Sequence, residues 1–555
     1  MTSPHRNTLW RATLLAAGLA LSSCAASAPG TTAENAPVVT APAGAVAGLS
    51  EGGLHVFKGI PYAAPPVGDA RWKPPAPLPA WSGQKIATDF GPACIQPPSV
   101  GVSVYTQELG ATSEDCLTLN VWTPANASKA PVFVWIHGGA LSTGSSKEKL
   151  YDGAKLAERG VVVVSINYRL GVLGYLAHPG LSAESADGIS GNYGLLDQVA
   201  ALKWVQQNIG AFGGDPANVT IAGESAGGLS VMYLMASPAA KGLFHKAIAQ
   251  SAYMVSTPEL KTAKFGSPAA EQVGTIVSAR LKAADVAAMR AIDAQTVTNT
   301  AAAAGFAPFG AVDGKVLTRQ LVETFDLGEQ ARVPLLVGFN SGEIRSLTIL
   351  APPKPASAAI YETTIRERYG DLAELFLKLY PGEHLQESIY ATTRDALYGW
   401  TSERLARKQT AVGAPAYLYL FDHGYPDADA ANLHAFHASE LPYMFGTLKR
   451  TPPYWPKIPS TRTETDLSNA MLDYWTSFAK TGQPASANAA AWPAYGSAKA
   501  YMLFGDAPQA STGVFPGMYE LHEAAVCRRK STGNTAWNWN VGMASPRLPA
   551  ATSGC

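Results

Sequence analysis

The chain has 555 residues, room for one large α/β unit with insertions or for two to four domains. Its 42 Lys and Arg balance 42 Asp and Glu, and charged residues make up only 15%, so no basic surface points to a nucleic-acid partner. No repeat period of roughly 20–50 residues marks a solenoid.

The N-terminus reads as an export signal. Arg6 and Arg11 precede an apolar run, Leu14 to Leu21, that is too short to span a bilayer. Leu21-Ser22-Ser23-Cys24 resembles the lipobox of bacterial lipoproteins, in which the cysteine is lipidated and becomes the new N-terminus. The alternative is an ordinary signal peptide cut after a small residue. Either way the mature protein is expected outside the cytoplasm, whether periplasmic, attached to the outer membrane through Cys24, or secreted. Residues 25–47 are rich in Ala, Pro, Gly and Thr and predict a flexible tether, with one folded domain from about Gly48 to Cys555. Cys94, Cys116, Cys527 and Cys555 remain, and three pairings are open. Sequence-local pairing, 94 with 116 and 527 with 555, is the simplest. In an oxidising compartment each bridge would stabilise by about 2–4 kcal/mol through the restricted unfolded chain. No cysteine cluster has zinc-finger spacing and no H-E-x-x-H occurs, so no metal is expected.

Prolines at 61, 65 and 66 predict an irregular entry around Phe57 to Trp72. Leu117 to Trp122 and Val132 to Ile136 read as strands. Val161 to Ile166 is almost wholly apolar, as a strand covered on both faces would be. Leu195 to Ile209 predicts an amphipathic helix, with Leu195, Leu196, Val199, Leu202, Val205 and Ile209 on one side. Phe212-Gly213-Gly214-Asp215-Pro216 reads as a turn, and Val219 to Ile221 as the next strand. A helix over Leu229 to Met235 and a strand over Lys246 to Gln250 follow. Residues 255–330 are alanine-rich and predict helix, Pro334 to Asn340 a buried strand, residues 354–410 helix, and Ala416 to Phe421 a strand. Leu467 to Ala479 predicts a helix stopped by Gly482 and Pro484. Residues 486–525 give little signal, and Trp537 and Trp539 predict local packing near the tail cysteines. Strand, loop and helix alternate, which implies an α/β fold: a mostly parallel or mixed sheet flanked by helices, with long helical insertions near 255–330 and 354–410.

The chemistry centres on Gly223-Glu224-Ser225-Ala226-Gly227. This G-x-S-x-G pattern, after a strand and before a helix, places a serine on a tight turn with its Oγ exposed. A serine hydroxyl needs a base to take its proton and an acid to orient that base. Histidines after Ser225 are His245, His423, His434, His437 and His522. His437, in a loop shortly after a strand, is favoured as the base, with His434 and His423 as rivals. Glu343 follows the strand ending at Asn340, at the edge where open α/β sheets bind ligands; Asp422 satisfies the same rule. His137-Gly138-Gly139-Ala140 follows the Val132–Ile136 strand, so the N–H groups of Gly139, Ala140 and Ala226 are the expected oxyanion donors.

Over about residues 48–525 the sequence resembles the type-B carboxylesterase family, which includes the cholinesterases and cholesterol esterase. The resemblance is carried by Ser113 to Val121, Asn167-Tyr168-Arg169-Leu170-Gly171, Gly191 to Gln198, Phe212 to Pro216, Val312-Asp313-Gly314 and Tyr474 to Gly482, together with the serine motif. It implies the α/β-hydrolase fold, a carboxylic-ester hydrolase working through an acyl-enzyme, and no cofactor. By resemblance Ser225 is the nucleophile, Glu343 the acid and His437 the base, since His437 to Glu440 is similar to the family's histidine-x-x-glutamate stretch. Gly139, Ala140 and Ala226 fall on the oxyanion positions. Glu224 matches a family residue beside the triad and Ser251 a hydroxyl behind it, although the family glycine that follows is Ala252 here. Cys94 and Cys116 match the first family disulfide, whereas Cys527 and Cys555 lie at or past the family's edge. Cholinesterases carry a tryptophan in the first disulfide loop that binds quaternary ammonium. Residues 95–115 hold none, and Tyr105 is the sole aromatic there, which argues against a choline-specific site. The expected substrates are broad or bulky neutral esters. Two other readings are a specialised detoxifying or catabolic esterase and a non-catalytic adhesion-like member of the family.

Overall fold

Among the described residues, eleven strands join in one mixed sheet. The computed structural model describes residues 36–99 and 101–555, so Cys24 lies outside the described residues. The strands are β1 (Leu49–Glu51), β2 (Leu54–Pro61), β3 (Thr118–Pro124), β4 (Ala130–Ile136), β5 (Val162–Ile166), β6 (Gly214–Glu224), β7 (Lys246–Gln250), β8 (Leu335–Asn340), β9 (Ala416–Phe421), β10 (Ala500–Phe504) and β11 (Pro508–Thr512). Their order across the sheet is β11-β10-β9-β8-β7-β6-β4-β5-β3-β2-β1. From β5 through β4 to β10 every neighbour pair is parallel, and the antiparallel pairs lie toward the two edges. This is the α/β-hydrolase architecture expected from the sequence.

The central strands are apolar because helices cover both faces. Val132, Val134, Ile136, Val162, Val164, Ile166 and Ile221 enter one core. Their chain neighbours Phe133, Trp135, Val163 and Ala222 enter the other. A period of two therefore feeds two cores, which is why Val161 to Ile166 shows no polar alternation. Each large side chain fully buried this way contributes roughly 1.5–3 kcal/mol relative to exposure. Helix α1 (Tyr193–Asn208) and helix α2 (Ala226–Ala236) carry buried residues into the first core. Helix α3 (Arg462–Thr481) packs on the second. Thr461 caps the start of α3, and Gly482, in the left-handed region at φ 81°, ends it.

Several expectations need correction. The fold begins before Gly48: Val38–Ala41 and Gly44–Ala47 form a hairpin, and the second strand pairs with Gln84–Ile86. The small residues that read as a tether alternate with Val39 and Val46, and Val46 is buried. The turn expected at Phe212 to Pro216 is shorter, since β6 already starts at Gly214 and pairs irregularly with β4 before Val219. Residues 255–330 are less helical than alanine content suggests: Ala270–Arg280, Val286–Ala291, Ala294–Ala303 and Leu321–Asp326 are helices, and the rest is loop. The silent stretch 486–525 holds β10 and β11. Both sequence-local disulfides form, Cys94–Cys116 and Cys527–Cys555. In the tail, Trp537 is buried against Trp400, whereas Trp539 is half exposed. Among the described residues no helix is long and apolar enough to cross a membrane.

Candidate active site

Five neighbouring strands, β4, β6, β7, β8 and β9, present their carboxyl ends along one sheet edge. Register places Ile136 beside Gly223, Glu224 beside Gln250, and Asn340 beside Phe421. Each of these ends, or the loop just after it, delivers a residue singled out from the sequence.

Ser225 sits between β6 and α2 at φ 56°, ψ −121°, a strained conformation for a residue with a side chain. Two glycines make the turn feasible. A Cβ on Gly227 would lie 2.1 Å from the Ile136 carbonyl oxygen, and one on Gly223 would lie 2.5 Å from the Gly227 backbone. The Ser225 N–H donates to the Gln250 carbonyl at 2.9 Å, which pins the turn to β7. Ser225 itself is only half-buried.

The loop after β4 packs on this elbow: a Cβ on Gly138 would lie 3.2 Å from the Ser225 Cβ. Gly139 and Ala140 both have positive φ, 100° and 55°. Their N–H groups, and that of Ala226 at the start of α2, donate to no backbone acceptor among the described residues. Three donors are therefore left for a ligand oxygen. His137 supports the loop from below, stacked on Tyr168, whose hydroxyl donates to the His137 carbonyl at 2.8 Å. Burial pushes the His137 imidazole down to about 4, so it is neutral there.

Glu343 opens a short helical turn after β8 and is fully buried. One carboxylate oxygen accepts from the Asn340 N–H at 2.8 Å, and the other meets His437 Nδ1. His437 is buried, and its Nε2 lies 3.0 Å from Glu224 Oε1, in a geometry that makes no hydrogen bond. Among the described residues no hydrogen bond joins His437 to Ser225 Oγ. Burial works against charge on His437, but Glu224 and then Glu343 outweigh it and hold the imidazole up to about 9. Burial likewise pushes Glu224 up to about 8.

The rival residues are engaged elsewhere. His434 is half-exposed, with its nitrogens 2.9 Å from Asp429 and 3.2 Å from Asp422. His423 is buried between Glu464 and Asp506 at 2.9 and 3.1 Å. Asp422 thus faces His434. Ser251 directly follows β7 at φ 41°, and its buried hydroxyl has no partner among the described residues.

Sequence reasoning left out the network behind the base. Glu440 accepts from Gln250 Nε2 at 2.9 Å and Asn340 Nδ2 at 2.7 Å, and Trp475 Nε1 donates to Gln250 at 3.0 Å. Burial pushes Glu440 up to about 7. Only the histidine-x-x-glutamate spacing hinted at it. An open cleft of about 420 Å³ lined by Phe325, Asp326, Arg332 and Lys408 holds none of these residues.

The pattern described as the carboxylesterase family matches residues 35–520. The chain belongs to the carboxylesterase family. This esterase is 38% identical over 471 residues to the fumonisin B1 esterase of Sphingopyxis macrogoltabida, covering 83% of this chain and 85% of that protein. It is 40% identical over 473 residues to the para-nitrobenzyl esterase of Bacillus subtilis, covering 82% and 92%. A solved PNB esterase structure superposes with a TM-score of 0.75 at 35% identity, over 87% of this chain and 99% of that one. The esterase is a serine-type carboxylic-ester hydrolase acting on a broad range of esters, as is typical of its family.

Proposed function

We propose that Ser225 is the nucleophile, His437 the base and Glu343 the acid that orients it. The observation that carries this reading is the buried contact between Glu343 and His437 Nδ1, beside a strained serine elbow. Ser225 Oγ attacks the ester carbonyl while His437 Nε2 takes its proton. Glu343 accepts from Nδ1–H, which fixes the tautomer and stabilises the imidazolium. The oxygen of the tetrahedral intermediate accepts from the N–H groups of Gly139, Ala140 and Ala226. Collapse expels the alcohol, which takes the proton from His437 and leaves an acyl group on Ser225. Water then attacks the acyl-enzyme, gives a proton to His437, and releases the carboxylic acid as Ser225 is restored. Glu224, 3.0 Å from Nε2, adds negative charge where the imidazolium forms. A fluorophosphonate should place one label per chain on Ser225 by peptide mapping, and a stoichiometric label on another serine would overturn the assignment.

Neutral esters of broad or bulky shape are the substrates this reading favours; the relatives named for fumonisin B1 and para-nitrobenzyl esters support the bulk alone. The hydrolase domain runs from the β-hairpin to the disulfide-closed tail as one unit. The apolar run before Cys24 and its lipobox-like spacing support export and lipid attachment. Wild type should then partition into detergent on phase separation and the Cys24→Ser variant should not. A mature wild-type mass without acyl chains would remove the anchor and leave plain export.

A further inference from the structure

The peptide chain around His437 offers three consecutive carbonyls, and each accepts a hydrogen bond from outside the base loop. Ala435 O accepts from the Gly342 N–H at 2.9 Å and Phe436 O from Asn340 Nδ2 at 2.8 Å. Both donors belong to the β8 end and the acid turn, so they tie the base loop directly to Glu343. His437 O, the carbonyl of the base itself, accepts instead from the Tyr105 hydroxyl at 2.8 Å. Tyr105 comes from a separate element, the loop closed by Cys94–Cys116.

The same phenol oxygen lies 2.7 Å from Ser346 Oγ. A carbonyl can only accept, so the phenol proton points to His437 O, and the Ser346 hydroxyl must donate to Tyr105. Ser346 closes the helical turn that Glu343 opens. One oxygen therefore joins the disulfide loop, the acid turn and the base loop. The Tyr105 ring meets the imidazole edge to face at 6.5 Å and Trp455 at 6.1 Å, so the phenol is held from both sides. Burial, and the nearby Glu224, Glu343 and Glu440, raise the phenol well above its ordinary value, which keeps the donating proton in place. Two residues on, Gln107 Nε2 donates to Glu148 at 2.5 Å and fastens the loop a second time.

We propose that Tyr105 is a positioning residue for the base: its hydroxyl sets the His437 backbone against the Glu343 turn and makes the Cys94–Cys116 loop a strut of the catalytic geometry. The proposal rests on His437 and Glu343 being the base and acid. Tyr105 acts through the His437 peptide and contributes no proton to the reaction.

The test is a cycle of Tyr105→Phe, Ser346→Ala and the double variant, with p-nitrophenyl butyrate as substrate and active sites counted by phosphonylation. Phe keeps the ring and removes the tie. A small displacement of the base is expensive, so Y105F should lower kcat by about 10- to 100-fold with KM within about threefold of wild type. S346A should lower kcat less, by about 3- to 10-fold, and the double variant should match Y105F because both act on one oxygen. Melting temperature should stay close to wild type. A kcat for Y105F within twofold of wild type, a change confined to KM, or fully additive losses would overturn the proposal. If Y105F does not fold, S346A decides: unchanged kcat overturns it. Ser225→Ala runs in parallel. An active S225A would sink the triad reading and this proposal together, whereas an inactive S225A with an unaffected Y105F would sink this proposal alone.

Discussion

His437 is flanked by carboxylates on both ring nitrogens, and that sets its proton affinity. Charged neighbours outweigh burial and raise it to about 9 from 6.5. Glu224 is raised as well, to about 8, so the two groups titrate as a coupled unit. The sign of the consequence is definite. A base works only when unprotonated, and a raised value keeps it protonated to higher pH. The acid limb of kcat/KM should therefore lie above the ordinary histidine range. Glu224→Gln removes one negative neighbour, the proton leaves more readily, and the limb should move down by about one pH unit. A pH profile that stays in place or shifts upward would show that Glu224 does not face the base during turnover. Ser225, Glu343 and His437 were legible as candidates because each lies beyond a strand and carries family spacing. The rivals His434 and His423 are separated from His437 only by their partners, Asp422, Asp429, Glu464 and Asp506, and nothing in a linear sequence assigns those. The partners of Gln250, Glu440 and Tyr105 are hidden for the same reason: their contacts join positions some 100 to 330 residues apart in the chain.

At the level of elements, the elbow shows how local sequence buys a functional strain. Gly227 is fixed by the approach of β4, whose Ile136 carbonyl a Cβ would meet at 2.1 Å. That carbonyl is backbone and cannot turn aside, so Gly227→Ala must push α2 from β4 or shift the strand that carries the Gly139 and Ala140 donors. The expected result is a loss of about 1–3 kcal/mol in stability, by analogy with overpacked cores, and a lower kcat. Gly210→Ala is the matched control, because a Cβ there meets nothing within 4 Å. Thermal unfolding and kcat measured on both variants decide the matter; equal behaviour of the two would mean that the elbow relaxes freely. The strands feeding the site, Lys246–Gln250 and Ala416–Phe421, were predicted to the residue because they are short, buried and bounded by loops. The strands Ala500–Phe504 and Pro508–Thr512 were missed. They are the last two strands at one end of the sheet, where half-exposed Tyr501 and Leu503 and exposed Gln509 blur the apolar signal. Alanine content overstated helix in 255–330, since propensity is a weak guide where loops are held by tertiary contacts such as the Asn192 amide on the Ala311 carbonyl.

For the molecule as a whole, charge argues for neutral substrates. The 42 cationic and 42 acidic side chains cancel, so no long-range field gathers cations. Near the site, burial pushes Glu224 up to about 8 and Glu148 up to about 7, which disfavours their negative charge, and the charge that Glu224 carries is engaged by His437. The disulfide loop has no tryptophan, and the hydroxyl of its one aromatic, Tyr105, is already held by His437 O and Ser346. An aromatic face contributes about 0.5–2 kcal/mol to a bound cation, and this site forgoes most of it. Butyrylcholine and its carbon isostere 3,3-dimethylbutyl butyrate share the acyl group and the shape of the alcohol and differ in charge. Their kcat/KM values should therefore agree to within a few-fold, with aryl butyrates hydrolysed readily alongside. A choline preference above about 30-fold corresponds to about 2 kcal/mol of discrimination, which is the full worth of a desolvated cation–π contact. Such a ratio would require a cation site in which Glu224 or Glu148 stays ionised against burial, and the pH dependence of that preference, lost below the value of the responsible carboxylate, would identify which.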